Sequence, residues 1–192
     1  MDAGWFAGTH LNFASHLLRH RGSEAAIVFR GEDGTRREIS RDDLIEVVAQ
    51  LASSLRAIGV EKGDRVAGYL PNCPEAVIAM LAAASIGAIW SSCSPDFGSN
   101  GAIDRFGQIE PKVLFATNAY YYNGKIYDTR ETVASIATAM TSLVTTVVIP
   151  FVDQVGTSIG IENAKPWDEF LVDDAELEIT PVEFNHPLYI MY

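Results

Sequence analysis

Short apolar runs alternate with stretches of helical periodicity through the middle of the chain. Four apolar runs have the length of buried strands, over residues 66–70, 88–92, 113–117 and 145–149. Apolar positions three and four apart predict helices near them, over residues 74–86, 101–109 and 129–141. Strands that alternate with helices are joined by crossover connections, which place helices on both faces of a mostly parallel sheet. The pattern therefore predicts an α/β fold.

The first sixty residues carry clear signals for where elements begin and end. Apolar spacing over residues 11–20 predicts a helix with Asn12 as its cap. Residues 25–39 predict a hairpin, because residues 25–29 and 35–39 flank a turn rich in glycine and acidic residues. Ser40 then opens a longer helix, which Gly59 ends with a left-handed residue.

Asp128, with Glu131 three residues later, predicts a capping box at the start of the helix over residues 129–141. The region over residues 150–186 is less regular than the alternating part before it. A short helix is expected over residues 167–171. Residues 168–183 hold seven acidic side chains and no basic one, which favours a solvated surface over an acidic binding site.

The last five residues, 188–192, are apolar and predict a strand. A parallel strand needs a crossover to cover it, and α/β proteins bind ligands outside the carboxyl ends of their strands. The sequence contains neither a crossover after this strand nor the segment beyond its carboxyl end. We therefore expect the chain to be the front part of a larger enzyme, with an unfinished sheet that could pair with another chain.

Charge and cysteine content narrow the class of partner. The chain has 25 acidic and 14 basic residues, a net charge of -11, so we expect neither nucleic acid nor anionic membrane as a partner. Its two cysteines, Cys73 and Cys93, form no disulfide framework and suit a reducing compartment. No apolar run reaches the roughly 18 residues of a membrane span, and no signal peptide is evident. A cytoplasmic location is expected.

Two segments that follow strands could bind a ligand. In residues 89–98, small side chains at a strand end let a ligand approach backbone amides, but the same residues could simply form a tight turn. In residues 120–125, three tyrosines offer stacking faces and Lys125 offers a mobile charge for phosphate. They could equally cover a sheet edge beside a solvated lysine. The residues alone leave both alternatives open.

The remaining candidates indicate structure rather than chemistry. Arg105, with Asp104 before it, and the Gly63-Asp64-Arg65 segment are interpreted as polar anchors. The cysteines lack a nearby cation in sequence and are expected to be small buried residues. The histidines follow no ligand spacing, so no metal site is expected, and no nucleotide-binding or nucleophile motif occurs. The residues alone therefore indicate an incomplete α/β ligand-binding domain and no reaction.

Five stretches carry a family signature: residues 5–8 with 11–14, residues 62–72, residues 80–98 continuing to Asp104-Arg105-Phe106, Tyr122-Asn123-Gly124-Lys125, and residues 186–192. Together they closely resemble the acetoacetyl-CoA synthetases, which are acid–CoA ligases of the adenylate-forming superfamily. Gly63-Asp64-Arg65-Val66 occurs across that superfamily, whereas residues 90–97 and the Tyr-Asn-Gly-Lys run look specific to the acetoacetate enzymes.

The resemblance implies a two-step reaction for the full enzyme. Acetoacetate attacks the α-phosphate of Mg²⁺-bound ATP to give an acyl-adenylate and pyrophosphate, and coenzyme A then displaces AMP. In the family, the strand matching residues 188–192 leads into the phosphate-binding loop that grips ATP, and this loop is not in the sequence. The resemblance therefore implies that this chain has no catalytic residue and is inactive alone. It also implies a helical segment at residues 1–24 and an α/β subdomain at residues 25–192.

The same resemblance implies a coenzyme A contact surface. In related acetyl-CoA synthetases, the nucleotide end of CoA lies against the segment matching Trp90-Ser91-Ser92, and basic residues matching Tyr122 and Lys125 meet its phosphates. Since this chain has a tyrosine at the first basic position, phosphate binding is expected to depend mainly on Lys125.

Two alternatives remain open. The first is a ligase for another short acid, because the acyl pocket of the family lies mostly beyond Tyr192. The second is a truncated homologue that acts as a non-catalytic binding or interaction module.

Overall fold

The computed structural model describes residues 5–192, so the first four residues of the predicted N-terminal segment lie outside the described part. The strands, in chain order, are β1 (His10–Leu11), β2 (Ala25–Arg30), β3 (Arg36–Ser40), β4 (Arg65–Tyr69), β5 (Ile89–Cys93), β6 (Val113–Thr117), β7 (Ala119–Tyr122), β8 (Lys125–Asp128), β9 (Thr145–Ile149), β10 (Ala164–Pro166) and β11 (Val182–Glu183). The helices are α1 (Phe13–Leu17), α2 (Arg41–Ala57), α3 (Pro74–Ser85), α4 (Gly98–Ile109), α5 (Arg130–Ala139) and α6 (Trp167–Phe170).

The centre of the structure is a five-stranded parallel sheet in the order β10-β9-β6-β4-β5. The four strands predicted from apolar runs are β4, β5, β6 and β9, and β10 extends the sheet beyond them. Along the chain, β5 forms on one side of β4 and β6 on the other, so the strand order reverses between β4 and β6. The predicted parallel α/β fold is confirmed.

Side chains of β6 show how both faces of the sheet are covered. Val113 and Phe115 join the core formed with α2 and α3, whereas Leu114 and Ala116 join the core formed with α4 and α5. Successive strand residues point to opposite faces, so a strand buried on both sides needs an unbroken apolar run. This explains why the apolar runs of the sequence located the sheet correctly.

The predicted starts of α1 and α2 are confirmed. The side chain of Asn12 accepts a hydrogen bond from the Ser15 amide at 3.1 Å, and Ser40 accepts one from the Asp43 amide at 3.1 Å. Gly59 follows α2 with φ +83°, the left-handed conformation expected at that end.

The capping box predicted at Asp128 is wrong. Asp128 belongs to β8 and forms an ion pair with Arg130 at 2.6 Å. Thr129 is the cap residue, but its hydroxyl donates to the Thr117 carbonyl at 2.5 Å and makes no cap hydrogen bond to the helix. The tertiary bond to β6 has replaced the local one.

The strand predicted over residues 188–192 is reduced to a single bridge. Tyr189 pairs with Trp90 of β5 in parallel, and the amide of Trp90 donates to the Leu188 carbonyl at 3.0 Å. The amide of Ile190 donates back to the Trp90 carbonyl at 2.9 Å. The segment therefore lies beside β5 in the expected direction, without forming a strand of its own.

The acidic stretch is solvated as predicted, because all seven acidic side chains between residues 168 and 183 are exposed. Trp167 and Phe170 of α6 anchor the start of the stretch by packing into the core. In residues 5–192, no helix combines the length and the apolar content that crossing a bilayer requires.

Candidate functional site

The carboxyl ends of β4, β5 and β6 lie together at one edge of the sheet, next to the reversal of strand order. This is the position at which open α/β sheets bind ligands. β5 continues into residues 94–97, and β6 continues through Asn118 into the β7–β8 hairpin. Both segments that the sequence singled out therefore start from this edge.

The three candidate residues of β5 differ in what they expose. Trp90 is 6% exposed, its ring packs near Phe115 with 6.4 Å between ring centroids, and both of its backbone polar groups are bonded. Ser91 is buried, and its hydroxyl donates to the Ile190 carbonyl at 2.9 Å. Ser92 is exposed. Of the three, Ser92 is the residue whose side chain can meet a ligand without rearrangement.

Ser92 opens onto a groove of about 490 Å³ between α3 and the last residues of the chain. Val77 and Met80 line one wall, and residues 189–192 line the other. The side chains that line it are mainly apolar, so the groove suits an uncharged part of a ligand better than a phosphate group.

The loop after β5 is tied to its neighbours by hydrogen bonds. The Tyr69 hydroxyl donates to the Pro95 carbonyl at 2.7 Å, and the Tyr120 hydroxyl donates to the Asp96 carboxylate at 3.0 Å. Burial and the bond to Asp96 raise the pKa of Tyr120 to about 12, so its hydroxyl stays protonated, and able to donate, further into the alkaline range than that of a free tyrosine. The Tyr120–Asp96 bond joins the two predicted binding segments directly.

Tyr122 and Lys125 face each other across the turn of the β7–β8 hairpin. Asn123 and Gly124 form that turn with φ angles of +51° and +71°. The side chains of Tyr122 and Lys125 are exposed, and Lys125 forms no ion pair with any residue in the described range. This hairpin was not predicted, although an Asn-Gly pair between two runs that contain tyrosine is a strong hairpin signal.

Asn118 fixes the loop that follows β9 at the same edge. Its buried side chain accepts hydrogen bonds from the Phe151 and Val152 amides at 2.9 and 3.1 Å. The same side chain donates to the Val152 and Val155 carbonyls at 2.9 and 2.5 Å. One amide group thus satisfies four backbone groups of a loop that no strand pairing holds.

The cysteines are buried, as predicted. Burial raises the pKa of Cys73 to about 12 and that of Cys93 to about 11. For Cys93, the nearby guanidinium of Arg105 partly opposes the rise. Throughout the described range, no three histidine, cysteine, aspartate or glutamate side chains converge closely enough to hold a metal ion.

One predicted polar anchor is confirmed, and the other has a structural role of a different kind. The Arg65 guanidinium donates to the Glu110 carbonyl at 2.9 Å, and Asp64 pairs with Lys112 at 2.6 Å, so this segment does anchor the structure. Arg105 instead lies over the ring of Phe97, 4.2 Å from its centroid, and donates to the Gly101 carbonyl of its own helix. Its charge therefore contacts aromatic rings of the loop after β5 and of the last residue, and not a polar group of another element.

A family model described as "AMP-binding enzyme" matches residues 13–192. The chain belongs to this family.

Several acyl-CoA synthetases are similar to this chain along its whole length. It is 42% identical to the acetoacetyl-coenzyme A synthetase of Rhizobium meliloti, over 100% of this chain and 30% of that protein. It superimposes on an acetoacetyl-CoA synthetase structure from Streptomyces lividans with a TM-score of 0.92 and 42% identity, over 98% of this chain and 29% of that one. It is also 40% identical to the malonamoyl-CoA synthetase of Penicillium aethiopicum, over 98% of this chain and 28% of that protein. The chain thus spans less than a third of the length of these relatives.

In this AMP-binding enzyme chain, the carboxyl edge presents one exposed serine, one exposed tyrosine–lysine pair and one aromatic-stacked arginine. These groups can bind a phosphorylated ligand through hydrogen bonds and positive charge.

Proposed function

We propose that this chain is the N-terminal part of an acetoacetate–CoA ligase. The full-length protein that contains the chain is called the intact protein. Acetoacetate and Mg²⁺-bound ATP give an acyl-adenylate and pyrophosphate, and CoA then displaces AMP to form acetoacetyl-CoA. The observation that carries the proposal is the whole-chain match to acetoacetyl-CoA synthetases, at 42% identity to the Rhizobium meliloti protein.

Residues 1–192 contribute to the CoA half of this reaction. The exposed side chains of Ser92, Tyr122 and Lys125 at the carboxyl edge form the contact surface. Lys125 supplies charge for a CoA phosphate, and Tyr122 opposite it supplies a ring face and a hydroxyl donor. Trp90 and Ser91 form the floor of the surface, because their side chains are buried, and the backbone groups of Trp90 and the hydroxyl of Ser91 are already bonded.

The test of the proposed activity is acid-dependent pyrophosphate release by the intact protein with ATP and Mg²⁺. Acetoacetate is expected to give the highest kcat/KM among short acids, and added CoA is expected to yield acetoacetyl-CoA with AMP. No release with any acid would overturn the ligase assignment. Residues 1–192 made alone are expected to release no pyrophosphate, since they supply only part of the binding surface.

A second candidate is a ligase for another short acid. The malonamoyl-CoA synthetase of Penicillium aethiopicum favours it, because at 40% identity it is nearly as similar to this chain as the acetoacetate enzymes. Malonamate carries an amide where acetoacetate carries a methyl ketone. A kcat/KM for malonamate above that for acetoacetate would select the second candidate.

Lys125→Ala in the intact protein tests the CoA surface. The apparent KM for CoA is expected to rise about fivefold, with the KM for ATP unchanged, because a single exposed charge–phosphate contact is lost. Lys165→Ala is the matched control, since Lys165 is an exposed lysine on β10 at the other edge of the sheet. An unchanged KM for CoA in the Lys125 variant would make Lys125 an ordinary surface lysine.

A further inference from the structure

Arg105 is a cation held between aromatic rings. Its guanidinium carbon lies 4.2 Å from the centroid of the Phe97 ring and 5.8 Å from that of the Tyr192 ring. Phe97 and Tyr192 are themselves 52% and 56% exposed. The Tyr192 hydroxyl also donates to the Arg105 carbonyl at 2.6 Å, which keeps that ring beside the arginine.

The hydrogen-bonding capacity of Arg105 is largely unused. Its Nη1 donates to the Gly101 carbonyl at 2.9 Å, and this is the one acceptor its side chain meets within residues 5–192. No carboxylate of the described chain pairs with it. Arg37, Arg41 and Arg130, by contrast, each pair with a carboxylate. Because a guanidinium has five N–H donors in a planar fork, most of this fork is free to bind an anion.

The position of Arg105 places it at the candidate site. It lies on α4, which follows the loop after β5, and its charge acts on the Cys93 thiol at the end of that strand. The one carboxylate of that loop, on Asp96, is already bonded to Tyr120 and Ser94. The aromatic faces keep the guanidinium oriented and partly out of water, which strengthens any charge-assisted bond it makes.

We propose that Arg105 binds a phosphate group of a nucleotide substrate, CoA or ATP, at the carboxyl end of β5, with Phe97 and Tyr192 holding the guanidinium in place. This inference rests on the proposed ligase function for the identity of the nucleotide. It adds a second cation to a surface on which Tyr122 offers no charge and Lys125 is the other basic group.

Arg105→Gln in the intact protein is the first test. The KM for one nucleotide is expected to rise about tenfold, since Gln keeps part of the hydrogen-bonding capacity and loses the charge and the fork. A rise for CoA alone or for ATP alone identifies the source of the phosphate. Arg105→Lys is expected to recover only part of the loss. Unchanged constants for both nucleotides, or a rise for acetoacetate alone, would overturn the proposal.

Arg19→Gln is the matched control, because Arg19 likewise donates to a carbonyl of its own turn, that of His16 at 2.7 Å, but is exposed on the N-terminal segment. It is expected to leave all three Michaelis constants unchanged.

Arginine modification by phenylglyoxal gives a second test that needs neither turnover nor a variant. Saturating CoA or ATP is expected to protect Arg105 in the wild-type protein and to leave the labelling of Arg19 unchanged, as measured by peptide mass spectrometry. Equal labelling of Arg105 with and without both nucleotides would sink the proposal, even where an Arg105 variant fails to fold. Protection of Arg105 in a protein that releases no pyrophosphate would support the phosphate site and overturn the proposed ligase function.

Discussion

The backbone amide of Gly124 donates a hydrogen bond to the carboxylate of Glu32, with 2.7 Å between nitrogen and oxygen. The two residues are 92 positions apart in the chain. Glu32 lies in the turn of the β2–β3 hairpin and Gly124 in the turn of the β7–β8 hairpin, so the bond joins two hairpin tips. It also places a negative charge one residue from the proposed phosphate-binding lysine.

Removing that charge is expected to strengthen CoA binding. Glu32→Gln keeps an oxygen acceptor for the Gly124 amide and eliminates the repulsion of a phosphate, so the KM for CoA in the intact protein should fall about twofold at low ionic strength. The effect should fade in high salt, because exposed charges are screened. Glu38→Gln, on the same hairpin, is the control. A higher KM in the Glu32 variant would mean that the carboxylate is needed to hold the turn.

Asn12 is expected to be a major stabilising residue of the N-terminal segment. Its amide nitrogen donates to the Ala84, Ser85 and Thr180 carbonyls at 2.8, 3.2 and 3.0 Å, while its oxygen caps α1. Asn12→Ala should lower the free energy of unfolding by about 2–3 kcal/mol, measured by urea denaturation, because it removes a cap and several buried hydrogen bonds.

Asn12→Ser separates the two roles of the asparagine. Serine keeps the cap and loses the amide donors, so it should recover about 1 kcal/mol of that loss. Equal stabilities of the Ala and Ser variants would show that the cap contributes nothing.

Gly68 of β4 is required by the ring of Trp90. A Cβ at position 68 would lie 2.8 Å from two carbons of that ring, which is buried and cannot move away freely. Gly68→Ala should therefore destabilise the fold by about 2 kcal/mol. Gly107→Ala is the control: its nearest neighbour would be the Met140 Cε at 3.8 Å, and alanine in a helix should stabilise by up to about 1 kcal/mol. Equal effects of the two substitutions in urea denaturation would contradict the steric argument.

The buried thiol of Cys73 should make the fold less stable in alkali. Burial raises the pKa of Cys73 from 9.0 to about 12, so above pH 9 the unfolded chain loses this proton before the folded chain does. Stability is therefore fully present below pH 9 and falls as the pH rises, by roughly 1 kcal/mol at pH 10 from this group. Urea denaturation at pH 8 and pH 10 measures the fall, which should be smaller in Cys73→Ala. The same slope in both proteins would assign the effect to other groups.

The sequence located the elements whose signal is local. The sheet strands are unbroken apolar runs because both faces are buried, and Asn12 and Ser40 announce their helices through cap chemistry that needs only neighbouring residues. The failures involve partners distant in the chain. The Thr129 hydroxyl donates a hydrogen bond to β6 and does not cap its own helix. Residues 188–192 pair with β5 only at Tyr189.

The candidate site also combines features with a local sequence signal and features that depend on distant residues. The exposed positions of Ser92 and Lys125 follow from strand ends and turn residues, and the sequence pointed to both. It could not distinguish Arg105 from Arg65 as an anchor, because that difference depends on which groups the fold brings near each guanidinium. Arg65 donates to the carbonyls of Ile109 and Glu110 at the end of α4, whereas the guanidinium of Arg105 lies against aromatic rings.

The four hydrogen bonds of Asn118 have a consequence for the arrival of a ligand. A loop at the mouth of a site usually loses conformational entropy when it closes on its ligand, and the free-energy cost of that ordering weakens binding. Residues 151–155 have already been ordered by the chain itself, through one asparagine, during folding. A molecule that binds at the carboxyl edge therefore meets a preformed wall, and its binding free energy is not diminished by the ordering of that loop.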